Sequence, residues 1–449
     1  MSDFEGLLWT LDGDPRLSST IANLTLLDQA PDEDRLVRRL AFAASAVPRL
    51  RQRVVPSPGG LAPPTWVDVA DFDVRDHIRR VDLGRRVGRR ALLDATMAIV
   101  AEPFDRSRPL WEFILVDHLA DGRAALLLRI HHTLTDGQGG LRISQHYIDL
   151  ERDAPDPDPM PIEMASPPPS PLTDGLGRLA RRQIDTARRC AHDVAGLVVH
   201  PDALWRRGVD RASALRSAVG QAGLGEHWLS PLWTSRSLDR RLDVLDIPLD
   251  ASKAAAHTLG GTVNDLFVTG ALAAAGDYHR RLGCDVDELR VAMPISTRTG
   301  HGAGGNMFSP SQTSLPAGKM SAAERFAMVH QSLSATKGTQ AIAIVESLAA
   351  TLNLLPDQLL VWAGAKAAGS VDFVASNLRA SGRDVFLAGA LMERNYPVGP
   401  LAGTAFNITT MSYRGVLCMG VVTDTAAVSD AKLLRRCLER SYQELLAVA

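Results

Sequence analysis

The sequence contains few cysteines and no long apolar run. Its four cysteines, Cys190, Cys284, Cys418 and Cys437, are widely separated and include no CxxC pair, which argues against a disulfide framework or a cysteine-rich zinc site. No apolar stretch reaches the roughly 18–20 residues that span a bilayer. The acidic N-terminus lacks the basic-then-apolar order of a signal peptide. We therefore expect a reducing, cytoplasmic setting.

A net charge of one sign is also lacking. Lysine and arginine number 49 and aspartate and glutamate 51, so the formal net charge of -2 gives no reason to expect a nucleic-acid partner. Hydrophobic residues make up 45% and charged residues 22%, which is ordinary for a globular protein. Because 449 residues exceed what one hydrophobic core usually supports, two domains are expected.

Motifs of several other enzyme classes are missing. The sequence has no GxSxG nucleophile elbow, no phosphate-binding P-loop and no HExxH zinc motif. A GxGxxG match at Gly300, Gly302 and Gly305 is followed by Pro310 and Pro316 rather than by the start of a helix. A dinucleotide site requires that helix, so the match indicates a glycine-rich loop.

The hydrophobic pattern predicts a mixed α/β or α+β chain in two lobes, without short-period repeats. Predicted strands cover 21–27, 111–118, 124–130, 242–247, 289–295, 371–375, 406–410 and 416–423. Predicted helices cover 34–47, 141–150, 176–199, 263–281, 322–334, 341–355 and 431–447. Prolines between residues 155 and 171 predict an extended crossover. The expected organisation is an N-terminal lobe at 1–152, a linker at 153–175 and a C-terminal lobe at 176–449.

The most informative segment that is present is HHTLTDG, at residues 131–137. An Asp-Gly turn between two predicted strands places His131 and His132 at the end of a hairpin strand. A neutral imidazole can accept a proton near pH 7. Neighbouring strand residues point to opposite faces, so one histidine faces a cleft while the other packs inward. The same argument disfavours a shared metal ion, and a purely structural role for both histidines stays open.

These residues carry a resemblance to known enzymes. His131, His132, Asp136 and Gly137 match the HHxxxDG motif of the superfamily that includes chloramphenicol acetyltransferase, carnitine acyltransferases and condensation domains. More specifically, the chain resembles the bacterial wax ester synthase/diacylglycerol acyltransferase family. Further matching segments follow in the family's order: 109–112 (PLW), 262–265 (ND), 294–298, 305–306, 406–409, 412–413 and Asp424. One departure is that Ser376-Asn377 lacks the Gly-Pro that commonly follows in the family.

The resemblance implies two chloramphenicol-acetyltransferase-like lobes, each a mixed sheet flanked by helices, with the active-site channel between them. It implies transfer of a long-chain fatty acyl group from acyl-CoA to diacylglycerol or a long-chain alcohol, giving triacylglycerol or wax ester. Acyl-CoA is then a co-substrate, and no metal or other cofactor is expected. Alternatives are a condensation-type enzyme using a carrier-bound acyl group and a non-catalytic lipid-binding relative. The lack of an attached carrier domain disfavours the first, and the intact motif disfavours the second.

The resemblance also implies roles for individual residues. His132 is the expected general base, and His131, Asp136 and Gly137 are expected to support its loop, with Arg298 as the partner of Asp136. In the ND segment, Asn264 is a candidate oxyanion donor, and capping of the following helix is an equally weighted alternative. The remaining candidates for substrate-binding or structural roles are Asp265, Asn377 and Trp111, the last as a core or channel-wall aromatic.

The basic segment 178–199 has two open interpretations. Its arginines lie opposite an apolar stripe, a pattern that is typical of a helix on an anionic membrane or lipid-inclusion surface. The same pattern is typical of an ordinary surface helix packed on a core. A lipid substrate favours the membrane interpretation, because diacylglycerols and wax alcohols reside in membranes. Peripheral association with the inner face of the membrane or with lipid inclusions is therefore an expectation.

Overall fold

The structure, a computed structural model, describes residues 1–57, 64–84, 86–120, 122–157, 228–296, 308–336 and 357–448. Over these residues the chain forms two six-stranded sheets, a two-stranded ribbon and flanking α-helices. Both large sheets mix parallel and antiparallel pairs. The mixed α/β class in two sheets agrees with the prediction.

Strands and helices are numbered separately in chain order. The strands are β1 (Thr20–Leu27), β2 (Gln52–Val55), β3 (Thr65–Asp68), β4 (Ile78–Arg80), β5 (Trp111–Val116), β6 (Ala124–His131), β7 (Arg240–Pro248), β8 (Glu288–Ser296), β9 (Phe308–Pro316), β10 (Phe373–Arg379), β11 (Phe386–Leu387), β12 (Ala390–Val398), β13 (Phe406–Tyr413) and β14 (Val416–Asp424). The described α-helices are α1 (Asp3–Leu11), α2 (Glu33–Ala46), α3 (Arg89–Ala101), α4 (Gly137–Ser144), α5 (Leu249–Thr258), α6 (Val263–Arg281), α7 (Ala322–Thr336), α8 (Asp357–Ala368) and α9 (Ala431–Leu446).

The first sheet has the strand order β11-β12-β1-β6-β5-β4. β6 lies in its interior, antiparallel to β1 and β5, with His131 opposite Thr20. Side chains of α2 pack on one face of this sheet and those of α3 on the other. Because both faces are covered, β6 is an almost continuous apolar run that ends at His131.

Two strands of the first sheet come from the C-terminal part of the chain. β12 pairs antiparallel with β1, with Val398 opposite Ala22, and β11 pairs with β12 at the edge. The predicted lobes do not account for this contribution of C-terminal strands to the first sheet, because they place 176–449 entirely in the second lobe. The choice of strand partner depends on tertiary packing, which the local pattern does not contain. The boundaries themselves stay a prediction.

The second sheet has the strand order β7-β14-β13-β10-β8-β9. β10 runs parallel to both β13 and β8, and its Asn377 lies opposite Thr410. The long helix α6 packs on this sheet through fully buried side chains, among them Phe267 and Leu272. This packing fixes the N-terminus of α6, which carries Asn264 and Asp265.

Most predicted elements that fall on described residues are confirmed. The helix at 263–281 has the predicted bounds, and the strand predicted at 371–375 is displaced to Phe373–Arg379. The helix predicted at 141–150 is wrong in position: α4 runs Gly137–Ser144, because Asp136 caps it and the chain then turns. The predicted helices at 176–199 and 341–355 lie outside the described residues. α3 and β12 have no counterpart among the predicted elements.

Candidate active site

His131 is the last residue of β6 and is enclosed by protein. Its backbone N–H donates to the Leu110 carbonyl at 2.9 Å, and only 2% of the residue is exposed. Its Nδ1 accepts from the Thr133 backbone N–H at 3.2 Å and lies 2.8 Å from Thr133 Oγ1. Because an imidazole nitrogen that accepts an N–H carries no hydrogen, these partners assign the ring hydrogen to Nε2.

Asp12 lies beside that Nε2. Its Oδ1 is 3.4 Å from His131 Nε2, within ion-pair distance, and accepts from the Ser19 N–H at 3.1 Å. Its Oδ2 accepts from Arg106 Nη2 at 3.1 Å. Burial raises the pKa of Asp12, but the nearby His131 side chain, the Ser19 N–H and the Arg106 charge together outweigh burial, so this pKa lies below its usual value. Asp12 is therefore ionised at neutral pH.

Two aromatic rings flank the His131 imidazole. Trp9 meets it edge-on with ring centroids 6.1 Å apart, and Phe104 does so at 6.3 Å. Arg106 lies over the Trp9 ring at 4.2 Å, and Arg129 lies over Phe104 at 4.4 Å. These contacts enclose His131 between α1 and the segment that follows α3, which leaves its ring little room to rotate.

His132 lies in the turn after β6 and is half-buried. Its backbone N–H donates to the Ser19 carbonyl at 2.8 Å. The two adjacent histidines therefore differ in environment: the side chain of His131 is enclosed, whereas that of His132 keeps part of its surface accessible. The structure thus separates the pair in burial, although His132 lies in the turn and not in the strand, so strand alternation does not account for the difference.

Asp136 and Gly137 start α4. The Asp136 carboxylate accepts from the Gly139 N–H at 2.7 Å and caps the helix, with 4% of the residue exposed. A β-carbon placed on Gly137 would lie 2.8 Å from Leu378 Cδ2, so the backbone here approaches β10 of the second sheet closely. Arg298 lies outside the described residues, and its pairing with Asp136 stays a prediction.

Asn264 and Asn377 face each other near that approach. Asn377 Nδ2 donates to Asn264 Oδ1 at 3.3 Å. Asn264 is not the cap of α6, so that alternative is wrong: Thr262 is the N-cap, and its side chain accepts from the Asp265 N–H. Asn377 and Leu378 are neighbours on β10. The Leu378 side chain approaches Gly137, and the Asn377 side chain binds Asn264 at the start of α6.

Asp265 is a buried carboxylate at the start of α6, with 1% of the residue exposed. Its Oδ2 accepts from the Thr262 N–H at 2.8 Å, the Thr262 hydroxyl at 2.9 Å and His330 Nδ1 at 2.8 Å. Gly261 is required beside it, since a β-carbon there would lie 2.7 Å from the Phe326 ring. These contacts give Asp265 a structural role at the N-terminus of α6.

Trp111 packs in the core below the first sheet. Its Nε1 donates to the Leu50 carbonyl at 2.7 Å, and its ring stacks on His77 at 4.3 Å. Burial lowers the pKa of His77, which keeps that ring neutral and compatible with the stack. With 2% of the residue exposed, Trp111 lies among core side chains.

Asp12, Ser19 and Thr133 are site residues that the sequence patterns do not reveal. Asp12 ends α1 and resembles an ordinary acidic loop residue, and only folding brings it to His131. Thr133 lies inside the motif at a position that the motif leaves open. Among the residues that the structure describes, no group of three His, Cys, Asp or Glu side chains is suited to a metal ion. No helix in this same part of the chain is long and apolar enough to cross a bilayer.

Comparison with known proteins places this site in a family. Residues 12–267 match the wax ester synthase/diacylglycerol acyltransferase catalytic domain, and residues 304–446 match the C-terminal domain of the same family. A Mycobacterium tuberculosis protein named as a diacylglycerol O-acyltransferase is 35% identical, over 98% of this chain and 90% of that protein. A second one from the same organism is 27% identical, over 99% and 95%.

Solved structures share the fold. A wax ester synthase/diacylglycerol acyltransferase from Marinobacter aquaeolei has a TM-score of 0.64 and 21% identity, over 98% of this chain and 97% of that one. The first condensation domain of the calcium-dependent antibiotic synthetase has a TM-score of 0.62 and 18% identity, over 99% and 94%. The fold of two mixed sheets and the HHxxxDG loop together define the class of protein, an acyltransferase. The chain belongs to the wax ester synthase/diacylglycerol acyltransferase family, an identity that the sequence motifs predicted.

Proposed function

We propose that this acyltransferase transfers a long-chain acyl group from acyl-CoA to the hydroxyl of diacylglycerol or of a long-chain alcohol, with His132 as the general base. The observation that carries the proposal is the close approach of Gly137 to Leu378. Gly137 lies five residues after His132, and Leu378 directly follows Asn377, whose amide donates to Asn264 Oδ1 at the start of α6. In this proposal the His132 imidazole and the Asn264 amide act from the two sides of one reaction site.

The reaction needs no enzyme nucleophile, because a thioester is already activated. The His132 imidazole accepts the proton of the acceptor hydroxyl as its oxygen attacks the thioester carbon. The tetrahedral intermediate then expels the CoA thiolate, breaking the C–S bond, and the imidazolium returns the proton to sulfur. The products are an ester and CoA. A partly accessible His132 beside an enclosed His131 fits this assignment.

Asn264 is proposed as the oxyanion donor. Thr262 and Asp265 already satisfy the start of α6, so the Asn264 amide is not used for capping. Its Oδ1 accepts from Asn377, which fixes the orientation of the amide and directs Nδ2 elsewhere. A preorganised donor of this kind stabilises the developing negative charge, and losing one costs about 10²–10³-fold in kcat.

The test is a purified His132→Ala protein given a long-chain acyl-CoA with diacylglycerol, monoacylglycerol or hexadecanol. CoA release and lipid product are both measured. Loss of a general base lowers kcat by about 10²–10⁴-fold. His257→Ala is the control, because His257 is exposed on α5. Turnover retained in His132→Ala contradicts the mechanism, and an inactive wild type with every acceptor contradicts the function.

We also propose that the enzyme collects its acceptor at a membrane or lipid-inclusion surface from the cytoplasmic side. The support is chemical: diacylglycerols and long-chain alcohols partition into lipid rather than water. The basic segment 178–199, the candidate contact, lies outside the described residues. Flotation with anionic and with neutral vesicles measures the association. Equal recovery without vesicles and with both vesicle types contradicts it.

A further inference from the structure

We propose that Asp12 is a positioning residue for the histidine loop, acting through His131 and Ser19 to hold His132 in place. The inference rests on the proposed function, in which His132 is the base. Asp12 ends α1, far from the motif in sequence, and its carboxylate meets the loop only in the fold. It acts on neighbouring protein groups rather than on the reacting atoms.

The His131 ring is the first group that Asp12 orients. Thr133 occupies Nδ1, so the ring hydrogen is on Nε2 and points into the protein. A buried N–H needs an acceptor, and the Asp12 carboxylate lies 3.4 Å away. A carboxylate that orients an imidazole through its second nitrogen fixes both the tautomer and the ring plane. The Nδ1 of the same ring accepts from the Thr133 N–H, which ties the ring to the backbone directly after His132.

Ser19 is the second group that Asp12 holds. Its N–H donates to Asp12 Oδ1 at 3.1 Å, and its carbonyl accepts from the His132 N–H at 2.8 Å. One residue therefore anchors the carboxylate on one side and the backbone of the proposed base on the other. An amide at this position has a single acceptor oxygen and cannot accept from both Ser19 and Arg106, so Asp12→Asn breaks the set of contacts that fixes the position of Ser19. A shift of His132 by even part of an ångström lowers the rate of proton transfer.

Arg106 balances the charge of Asp12. Its Nη2 lies 3.1 Å from Asp12 Oδ2. The depressed pKa of Asp12 keeps it ionised over the neutral range, although burial alone acts the other way. Asp14, two residues along the same loop, pairs with Arg16 instead. Asp14 is therefore a matched control: a carboxylate of the same loop, paired with arginine, without a described contact to the histidine loop.

The experiment compares Asp12→Asn, Asp12→Glu and Asp14→Asn in the full-length protein. Steady-state kinetics with a long-chain acyl-CoA and the preferred acceptor give kcat and KM. We expect Asp12→Asn to lower kcat by about 10- to 100-fold through misplacement of the base, with the KM for acyl-CoA unchanged. Asp12→Glu keeps a carboxylate and should recover most of kcat. Asp14→Asn should match the wild type.

A spectroscopic measurement tests the contact without relying on activity. In protein labelled with ¹⁵N-histidine, the ring-nitrogen shifts of His131, assigned with a His131→Gln variant, report its tautomer. The wild type should show hydrogen on Nε2, and Asp12→Asn should alter these shifts. If Asp12→Asn does not fold, Arg106→Gln replaces it, because it keeps the carboxylate but removes its counter-charge; a smaller loss of kcat at unchanged KM is expected.

The outcomes separate this inference from the proposed function. Wild-type kcat in Asp12→Asn, or unchanged His131 shifts, overturns the positioning role. So does an equal loss in Asp14→Asn, which shows a general effect of the loop. A wild type without transferase activity overturns the proposed function instead, and the nitrogen shifts still test the Asp12–His131 contact.

Discussion

Gly137 and Leu378 bring the first and second sheets into contact: a β-carbon on Gly137 would lie 2.8 Å from the Leu378 side chain. Gly137 is the first residue of α4, after the histidine loop, and Leu378 is on β10. The proposed base lies five residues before Gly137, and Asn377 directly precedes Leu378. The contact of Gly137 with Leu378 supplies the first prediction.

Gly137→Ala should lower kcat by about tenfold, because Leu378 must give way and the loop shifts relative to β10. Adding Leu378→Ala should restore most of the loss, since it removes the side chain that is contacted. Gly140→Ala is the control in the same helix, because the nearest side-chain atom to its β-carbon position is 3.9 Å away. Steady-state kinetics of these variants and of Leu378→Ala alone provide the measurement, and a double variant no better than Gly137→Ala contradicts the explanation.

Substitutions of Asn264 and Thr262, both at the start of α6, should affect different properties: the first the rate of catalysis and the second the stability of the protein. Asn264→Ala should lower kcat by about 10²–10³-fold at an unchanged melting temperature, since Asn264 does not cap the helix. Thr262→Ala should instead lower the free energy of unfolding by about 1 kcal/mol. Kinetics and urea denaturation on both variants check the split. A stability loss in Asn264→Ala without a loss of kcat would count against the oxyanion role.

Asp265→Asn should destabilise the protein. The Asp265 carboxylate accepts from the Thr262 N–H, the Thr262 hydroxyl and His330, and an amide nitrogen at that position cannot accept. We expect a loss of about 1–3 kcal/mol in the free energy of unfolding, measured by urea denaturation. His330→Ala should cost less, because the His330 side chain is 41% exposed. The reverse order would mean that the carboxylate is not the centre of this cluster.

Asp277 should make stability depend on pH in the acid range. Burial raises its pKa, but Arg440, Cys437 and Arg281 outweigh burial and lower the pKa to about 2. Because the folded pKa lies below that of the unfolded chain, about 3.9, the stabilisation is fully present above pH 4 and is lost as the pH falls towards 2. The difference in unfolding free energy between the wild type and Asp277→Asn should therefore be constant near neutrality and shrink below pH 4.

Asp250→Asn is the control for this titration, because the Asp250 side chain is 88% exposed and pairs only with Lys253 in the described residues. Its stability difference from the wild type should stay small at every pH. Urea denaturation at steps between pH 7 and pH 2.5 measures both differences. A difference for Asp277→Asn that grows on acidification would give the wrong sign for a stabilising carboxylate.

Local patterns predict the parts of the fold whose determining interactions are local. The apolar run of β6 ending at His131, and the helix starting after Thr262, follow from residue patterns within a few positions. Family membership can also be predicted from local sequence, because the family's motifs are short segments that occur in a fixed order along the chain. The position of α4 is also a local matter: the Asp136 side chain has the character of an N-cap, which the prediction of a later start overlooked.

The remainder depends on contacts between distant parts of the chain. Asp12 has no local feature that distinguishes it from Asp14, and only the packing of α1 against the first sheet selects it. The pairing of β12 with β1 likewise has no local signal, since either strand is equally suited to other partners. Such contacts are decided by the tertiary fold.

The pairing of β12, from the C-terminal part of the chain, with β1 also constrains the order in which the protein can fold. During synthesis β1 emerges early, but its partner on one side is complete only after residue 398 has left the ribosome. Until then the backbone N–H and C=O groups on that edge of β1 lack their native partner and can pair with another chain. The first sheet is thus completed only after β7 to β10 of the second sheet have been translated, and dependence on chaperones should be greatest over that interval.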